Sequence, residues 1–318
     1  MGLMSAWAAV YFLLGDNERK RAFYHRVIQR ISRLALKLIP GAPFTVHNPT
    51  GEDFSRPAIY ICNHQSHLDV LGILSLHPKL VCLTNEWAWK FYGPVIRKAD
   101  FYPASMVMEN DFAHIRALIA RGYSVVIFPE GTRSEDCHIQ RFHQGAFLLA
   151  RALGLEVLPL YLHGFGQALP KHDFLLRSAP LYLEVGKRIP VPETGDIKAF
   201  TREVRHQYQQ VYGRIVRERE TAAWCARFVR YRYLYKGHDA QAELRRVLRP
   251  AVYAQVDALQ GESLTVPEAG CGVYALLVAL THPDMQVTAR EKEEEKYLTA
   301  IRCQDLPDNL HYVLEKDQ

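Results

Sequence analysis

The sequence predicts an α/β fold with a mostly parallel central sheet and flanking helices. Three observations predict it. Between residues 44 and 190 short apolar runs alternate with helical patterns, the order that builds a parallel sheet from strand-helix-strand units. Two of those runs end in polar motifs, as expected where ligands gather at the carboxyl ends of strands. Apolar residues make up 48% and charged residues 23% of the 318-residue chain, ordinary values for a folded protein with a sizeable core, and there is no internal repeat or low-complexity tract. The length suggests roughly two modules of about 150 residues.

From the N-terminus, Gly2 to Leu14 is apolar and stops at Gly15-Asp16-Asn17. It is too short to span a bilayer, which needs about 20 residues, so it reads as a shallow anchor or a packed helix. It lacks the early basic region and small-residue cleavage site of a signal peptide. From Glu18 to Leu38, apolar Ala22, Phe23, Val27, Ile28, Ile31 and Leu34 recur at helical spacing, with Arg19, Lys20, Arg21, Arg26, Arg30, Arg33 and Lys37 between them. Such a basic amphipathic helix suits an anionic membrane surface or, equally, a helix that caps a core and solvates its arginines. Residues 1–43 are thus expected to be N-terminal membrane-associating helices.

Residues 44–196 form the sheet domain. Strands are expected at 58–62, 80–84, 123–128, 156–162 and 181–185, and helices at 68–76, 109–121 and 143–153. Residues 197–250 open after Pro190, Pro192 and Gly195, close at Pro250, and read as a wholly helical basic linker. Residues 201–250 hold twelve Lys or Arg against five Asp or Glu, so the remainder of a chain whose formal net charge is +5 is slightly acidic. Tyr208, Tyr212, Trp224, Phe228, Tyr231, Tyr233 and Tyr235 interleave with those arginines. No nucleic-acid-binding motif accompanies them; a membrane surface, an acidic carrier protein or a solvated helix pair fits better. Residues 251–318 form a small α/β appendage.

The six cysteines (Cys62, Cys82, Cys137, Cys225, Cys271 and Cys303) have no Cys-x-x-Cys spacing, which argues against a zinc ribbon or disulfide framework and fits a reducing compartment. The group Cys137, His138 and His143 matches no common metal-ligand spacing. No metal or bound cofactor is expected.

Two motifs carry chemistry. Asn63-His64-Gln65-Ser66-His67-Leu68-Asp69 follows the run 58–62, and Phe128-Pro129-Glu130-Gly131-Thr132-Arg133-Ser134 follows 123–127. His64 and Asp69 are spaced to round a strand-to-helix corner and form a base and its orienting acid. Ser66 to Asp69 also reads as a helix capping box. In the second motif, Arg133 beside a Glu-Gly turn can fork onto a phosphate or carboxylate; alone, the segment could be a plain polar turn. There is no Gly-x-Ser-x-Gly elbow, and Cys62 lies inside its apolar run, so no Ser or Cys nucleophile is indicated.

On these motifs, residues 44–190 resemble the glycerolipid acyltransferase family that includes the lysophosphatidic acid acyltransferases. The resemblance implies that His64 deprotonates the acceptor hydroxyl, that Asp69 orients it, and that Glu130, Gly131, Thr132 and Arg133 bind the acceptor's phosphate region. Val157-Leu158-Pro159-Leu160 resembles the family's later apolar-proline block, which lines the site. It implies a membrane lipid acceptor such as 1-acylglycerol-3-phosphate. The donor would be a fatty acyl thioester on coenzyme A or acyl carrier protein. With the basic N-terminal helix, the expected location is the cytoplasmic face of a membrane, held peripherally or monotopically.

One block departs from the family. Where a Gly-x-x-Phe-x-x-Arg stretch is usual, this chain has Lys98-Ala99-Asp100-Phe101-Tyr102-Pro103-Ala104-Ser105, with no arginine after the aromatic residue. An acceptor with another head group, an amino-acid lysolipid or an aryl lipid, is therefore an alternative, as is a lipid-binding scaffold. Arg97 and Lys98 could substitute from upstream or be solvated surface. At the C-terminus, Leu264 to Tyr274 and Met285 to Ala289 resemble the first strand, glycine loop and second strand of class I methyltransferases. Tyr274 stands at the usual third glycine and Arg290 where an acid would bind ribose. The segment is too short for such a domain, which implies a truncated appendage or simply a tight turn.

Overall fold

The computed structural model describes residues 11, 15–84, 93–103 and 112–315. Apart from Tyr11, the Gly2 to Leu14 segment lies outside the described residues, as do the first residues of the helix expected at 109–121 and the last two of the stretch 98–105. The chain divides into two compact units, Met1–Tyr212 and Gly213–Gln318.

In the first unit the elements are α1 (Glu18–Lys37), β1 (Phe44–His47), β2 (Ile59–Cys62), α2 (Leu68–Leu74), β3 (Leu80–Thr84), α3 (Gly93–Lys98), β4 (Tyr102–Pro103), α4 (Ala113–Ala120), β5 (Ser124–Ile127), α5 (Gly145–Leu153), β6 (Val157–His163), α6 (Phe165–Ala168), β7 (Leu181–Val185) and the greater part of α7 (Ile197–Arg219). One seven-stranded sheet has the order β1-β7-β6-β2-β5-β3-β4. Every pairing is parallel except β6 with β7. The predicted α/β class with a mostly parallel sheet is therefore the observed one. All five predicted strands form, and β1 and the short β4 are added at the edges.

The strand sequences explain the burial. Every residue of β2, β6 and β7 is buried, as continuous apolar runs must be when both faces of a parallel sheet are covered. Each fully buried Leu or Ile there contributes about 1.5–3 kcal/mol of transfer free energy. Helix α5 stops at Gly154, whose φ of +65° closes the turn in the left-handed region,. Helix α1 starts where Asn17 caps it by accepting the Lys20 amide at 3.0 Å,. It buries Tyr24, His25, Ile28, Ser32 and Leu36 and leaves Phe23, Ile31, Leu34 and Leu38 exposed.

The second unit contains α8 (Ala222–Arg232), α9 (His238–Val247), α10 (Pro250–Asp257), β8 (Ser263–Val266), α11 (Val273–Thr281), β9 (Gln286–Glu291), α12 (Glu294–Ile301) and β10 (Leu310–Leu314). Its sheet, β10-β9-β8, is wholly parallel. The segment read as a linker is thus divided between the units, the boundary falling inside α7. Residues Ala222, Val229, Tyr233 and Leu244 share one core with Leu276, Val278 and Val287 of the appendage. The physical reason is that a three-stranded sheet cannot cover its own faces, and the apolar stripes of α8 and α9 do so. Pro250 opens a helix rather than closing one, because its missing N–H falls among the first-turn donors that have no intrahelical partner,.

Candidate active site

The two motifs meet because β2 and β5 are neighbours in parallel register, Ile61 opposite Ile127. That offset of 66 residues carries past the strand ends, where the His64 amide donates to Glu130 Oε1 at 3.1 Å, also 66 positions away. A second bond returns, the Ser134 amide donating to the His64 carbonyl at 2.7 Å. The corner after β2 and the turn after β5 therefore form one hydrogen-bonded body.

His64 Nδ1 lies 2.8 Å from Asp69 Oδ2. The same oxygen accepts the amides of Gln65 at 2.6 Å and Ser66 at 2.8 Å. Asp69 has no exposed surface, whereas the His64 side chain is 20% exposed. With Nδ1–H directed at a buried carboxylate, the imidazole presents Nε2 as its basic nitrogen. Phe128 stacks on the ring at 4.0 Å between centroids and 19° between planes, which limits its rotation. One Asp69 oxygen thus accepts two amides at the helix start and also holds the His64 imidazole. Ser66 Oγ accepts the Leu68 amide at 3.2 Å and donates to the Leu169 carbonyl at 2.8 Å, so it is committed to structure. Cys62 is fully buried, and burial pushes its thiol well above the ordinary range.

In the second motif the four residues have separate placements. Glu130 is 4% exposed and turns inward, its Oε2 accepting the Gln140 amide at 3.3 Å. Burial pushes its carboxyl up to about 7, against the opposing pull of the His64 and Gln140 amides. Gly131 has φ +72°, and a Cβ there would stand 3.4 Å from His143 Cδ2, so a side chain would be strained. Thr132 is exposed. Arg133 is half-buried, and its Nη1 is buried with no hydrogen-bond partner among the described residues. Partial burial, followed by the nearby charges of Arg133 and His64, lowers the His67 imidazole. A cation with an unused donor thus stands one residue from the bond that ties the turn to His64.

Sequence reasoning missed the groups behind this corner. Asn63 bridges to β6, its Nδ2 donating to the Leu162 carbonyl and its Oδ1 accepting the Leu162 amide, each at 2.8 Å. Gln65 Nε2 donates to the Cys137 carbonyl at 2.9 Å and to the Tyr212 hydroxyl at 2.6 Å. Tyr208 and Tyr212 come from α7, and their spacing of four on one helix was the available signal. The apolar-proline block is the start of β6, and the Leu160 carbonyl accepts the Tyr208 hydroxyl at 2.5 Å.

The divergent stretch after α3 is held by α1. Asp100, buried at φ +53°, pairs with Arg21 and lies 3.4 Å from His25 Nε2. Burial would raise its carboxyl, but His25 and Arg21 hold it below the usual range. Lys98 Nζ pairs with Asp16 at 2.8 Å.

In the second unit a cleft of about 650 Å³ opens at the glycine loop. The loop's donors are already used. Cys271 and Val273 donate to Glu243 at 2.6 and 3.0 Å, and Gly270 donates to Glu291 Oε2 at 2.5 Å. The acid at the end of β9 is Glu291, one residue beyond Arg290. Burial raises the Glu243 carboxyl.

Residues 43–163 match the family model described as Acyltransferase. A Chlamydomonas reinhardtii protein named 1-acyl-sn-glycerol-3-phosphate acyltransferase is 32% identical over 152 residues, 44% of this chain and 45% of that one. A chloroplastic Arabidopsis thaliana protein of the same name is 31% identical over 173 residues, 50% of this chain and 46% of that one. The chain thus spans less than half the length of these two relatives. The crystal structure of the 1-acyl-sn-glycerophosphate acyltransferase from Thermotoga maritima superposes with a TM-score of 0.52 at 20% identity, covering 64% of this chain and 87% of that one, which shows a shared fold. The family model thus matches the stretch of chain that holds both motifs, His64 to Asp69 and Glu130 to Arg133.

Proposed function

We propose that this chain is an O-acyltransferase that moves a fatty acyl group from a thioester of coenzyme A or acyl carrier protein to the hydroxyl of a lysophospholipid such as 1-acylglycerol-3-phosphate. The observation that carries the reading is the 2.8 Å bond between His64 Nδ1 and Asp69 Oδ2, which leaves Nε2 as the base beside the unused donor of Arg133. His64 Nε2 takes the proton of the acceptor hydroxyl as its oxygen attacks the thioester carbonyl. Asp69 steadies the imidazolium that forms. The tetrahedral intermediate collapses with loss of thiolate, which takes the proton from His64. Arg133 holds the acceptor's phosphate. With Ser66 committed to structure and Cys62 buried, direct transfer is favoured over a covalent acyl-enzyme. The acceptor and donor meet at an anionic membrane surface, with the protein held peripherally on the cytoplasmic face; no helix among the described residues is long and apolar enough to cross a membrane.

A second acceptor class is favoured by one observation. The stretch before β4 has no arginine after Phe101, and Asp100 within it is occupied by Arg21 and His25. Incubation with labelled acyl thioester and a panel of lysolipids, read by product mass, decides between them. Acylated 1-acylglycerol-3-phosphate is the expected product, and amino-acid lysolipid or aryl-lipid products would assign the second class. His64→Ala should abolish transfer without lowering the melting temperature. Near-wild-type transfer by that variant would sink the mechanism, and acceptor-independent release of fatty acid would assign hydrolysis instead.

A further inference from the structure

Three consecutive large apolar side chains stand in solvent five to seven residues after Leu169, whose carbonyl accepts Ser66 Oγ. Phe174, Leu175 and Leu176, in the loop between α6 and β7, are 94%, 72% and 51% exposed. Contiguous apolar exposure of this kind marks a surface that meets a partner. The loop is pinned. Asp173 Oδ1 accepts the amides of Phe174 at 2.7 Å and Leu175 at 3.0 Å, Asp173 Oδ2 pairs with Arg177 at 2.8 Å, and the Arg177 amide donates to the Ala168 carbonyl at 2.8 Å. Its backbone thus holds the apolar side chains outward.

Both ends of the loop are anchored to informative places. Before it, Leu169 accepts Ser66 Oγ from the catalytic corner at 2.8 Å. After it, Ser178 Oγ donates to the Gly41 carbonyl at 2.9 Å, just beyond α1. The last turns of α1 expose Leu34 (56%) and Leu38 (69%), interleaved with exposed Arg30 and Lys37. Apolar side chains alternating with cations complement an anionic lipid surface, where apolar groups enter the acyl boundary and cations meet headgroups.

We propose that loop 173–177 and the last turns of α1 form one membrane-docking rim, with Phe174, Leu175 and Leu176 inserted into the bilayer and Arg30 and Lys37 against anionic headgroups. The rim seats the His64 corner at the lipid surface, and to that extent it rests on the lipid-acceptor reading above.

The test uses the full chain and vesicles of phosphatidylglycerol or phosphatidylcholine. In a Phe174→Trp variant, indole fluorescence should shift to the blue on phosphatidylglycerol vesicles and be quenched by lipids brominated on the acyl chain. No quenching would overturn the proposal. The triple variant Phe174→Ser, Leu175→Ser, Leu176→Ser should bind vesicles at least about tenfold more weakly at unchanged melting temperature, and Arg30→Glu with Lys37→Glu should erase the preference for phosphatidylglycerol. Unchanged binding in either variant would overturn the rim. A triple variant that turned a dimer into a monomer in vesicle-free solution would assign the face to a second copy instead. With a short-chain lysolipid dispersed as monomers, the triple variant should transfer at the wild-type rate and lose activity only on vesicle-embedded acceptor. Quenching in the Phe174→Trp variant, with no transfer by the wild type, would remove the acyltransferase reading while leaving the docking rim standing.

Discussion

The hydroxyl of Tyr208 accepts the amide N–H of Asn63 at 2.9 Å across 145 positions of sequence. Its single proton reaches either Asn63 Oδ1 at 2.7 Å or the Leu160 carbonyl at 2.5 Å. Asn63 immediately precedes His64, so a helix outside the sheet sets where His64 sits. Tyr208 also packs at 4.4 Å on the Tyr161 ring and edge-on at 5.3 Å to Phe142. Tyr208→Phe keeps that packing and removes only the hydroxyl, leaving a buried N–H without a partner at a cost of about 1–3 kcal/mol. The expected result is a lower melting temperature and a kcat reduced by about tenfold or more, since small displacements of a reacting group are expensive. The acceptor KM should stay within about twofold; a change in KM alone would show that Tyr208 does not position His64.

Asp69→Asn separates two roles of one oxygen. Asp69 Oδ2 takes the imidazole N–H and two amides, and a carboxamide offers one acceptor oxygen and a competing NH₂. With its oxygen on these three donors, the carboxamide puts its NH₂ at the place of Oδ1, a buried atom with no hydrogen-bond partner among the described residues, and it holds the imidazole without the charge that steadies an imidazolium. The expected loss in kcat is about 10²–10⁴-fold, accompanied by a lower melting temperature. His64→Ala should lose activity without that thermal penalty. Equal thermal effects in the two variants would mean that the new NH₂ is accommodated at the place of Oδ1 without cost.

Arg133→Lys tests the anion clamp. Arg133 has an unused buried donor, and an ammonium cannot reproduce a planar fork onto phosphate. The acceptor KM should rise about 10- to 100-fold, equivalent to roughly 1.4–2.7 kcal/mol of lost interaction. The donor KM should not move. Steady-state kinetics with each substrate varied in turn would show this, and a donor-specific effect would place Arg133 at the thioester carrier instead.

What was legible in the sequence followed from strand ends. The runs 58–62 and 123–128 are apolar on both faces and stop at polar residues, so they announce buried strands with motifs at their tips. Their adjacency in the sheet, which puts His64 beside Glu130, is a property of strand order and is invisible in either segment alone. Strand β1 escaped because Phe44–His47 is only four residues long and exposes all but its partly buried first residue, too short a run for its alternation to stand out. Tyr208 and Tyr212 were visible as residues but not as a clamp, since arginine-rich composition around them reads as surface and only packing selects the inward face. Glu130 was grouped with Arg133 because both are charged and close in sequence. A left-handed turn at Gly131 sends one side chain into the core and leaves the other facing the corner. The basic linker failed as a unit for a related reason: helices with arginine on one face carry apolar stripes on the other, and Ala222, Val229 and Tyr233 spend theirs on the second core.

The Glu130 carboxyl makes folding of the first unit pH-dependent in a definite direction. Its folded value is about 7, raised mainly by burial from an ordinary value near 4.5. The folded state therefore binds a proton more tightly than the unfolded state. The resulting stability is fully present below about pH 4.5, falls as the pH rises, and is gone above about pH 7. A shift of this size corresponds to roughly 3 kcal/mol. Glu130→Gln cannot titrate, so the stability of wild type minus that of the variant should fall by about that amount between pH 4.5 and pH 8, whatever the variant's absolute stability. Urea unfolding of both proteins across this window, followed by a probe in the first unit, checks it. A difference that stayed constant with pH would mean that Glu130 remains ionised throughout, held charged by the His64 and Gln140 amides rather than neutralised by burial.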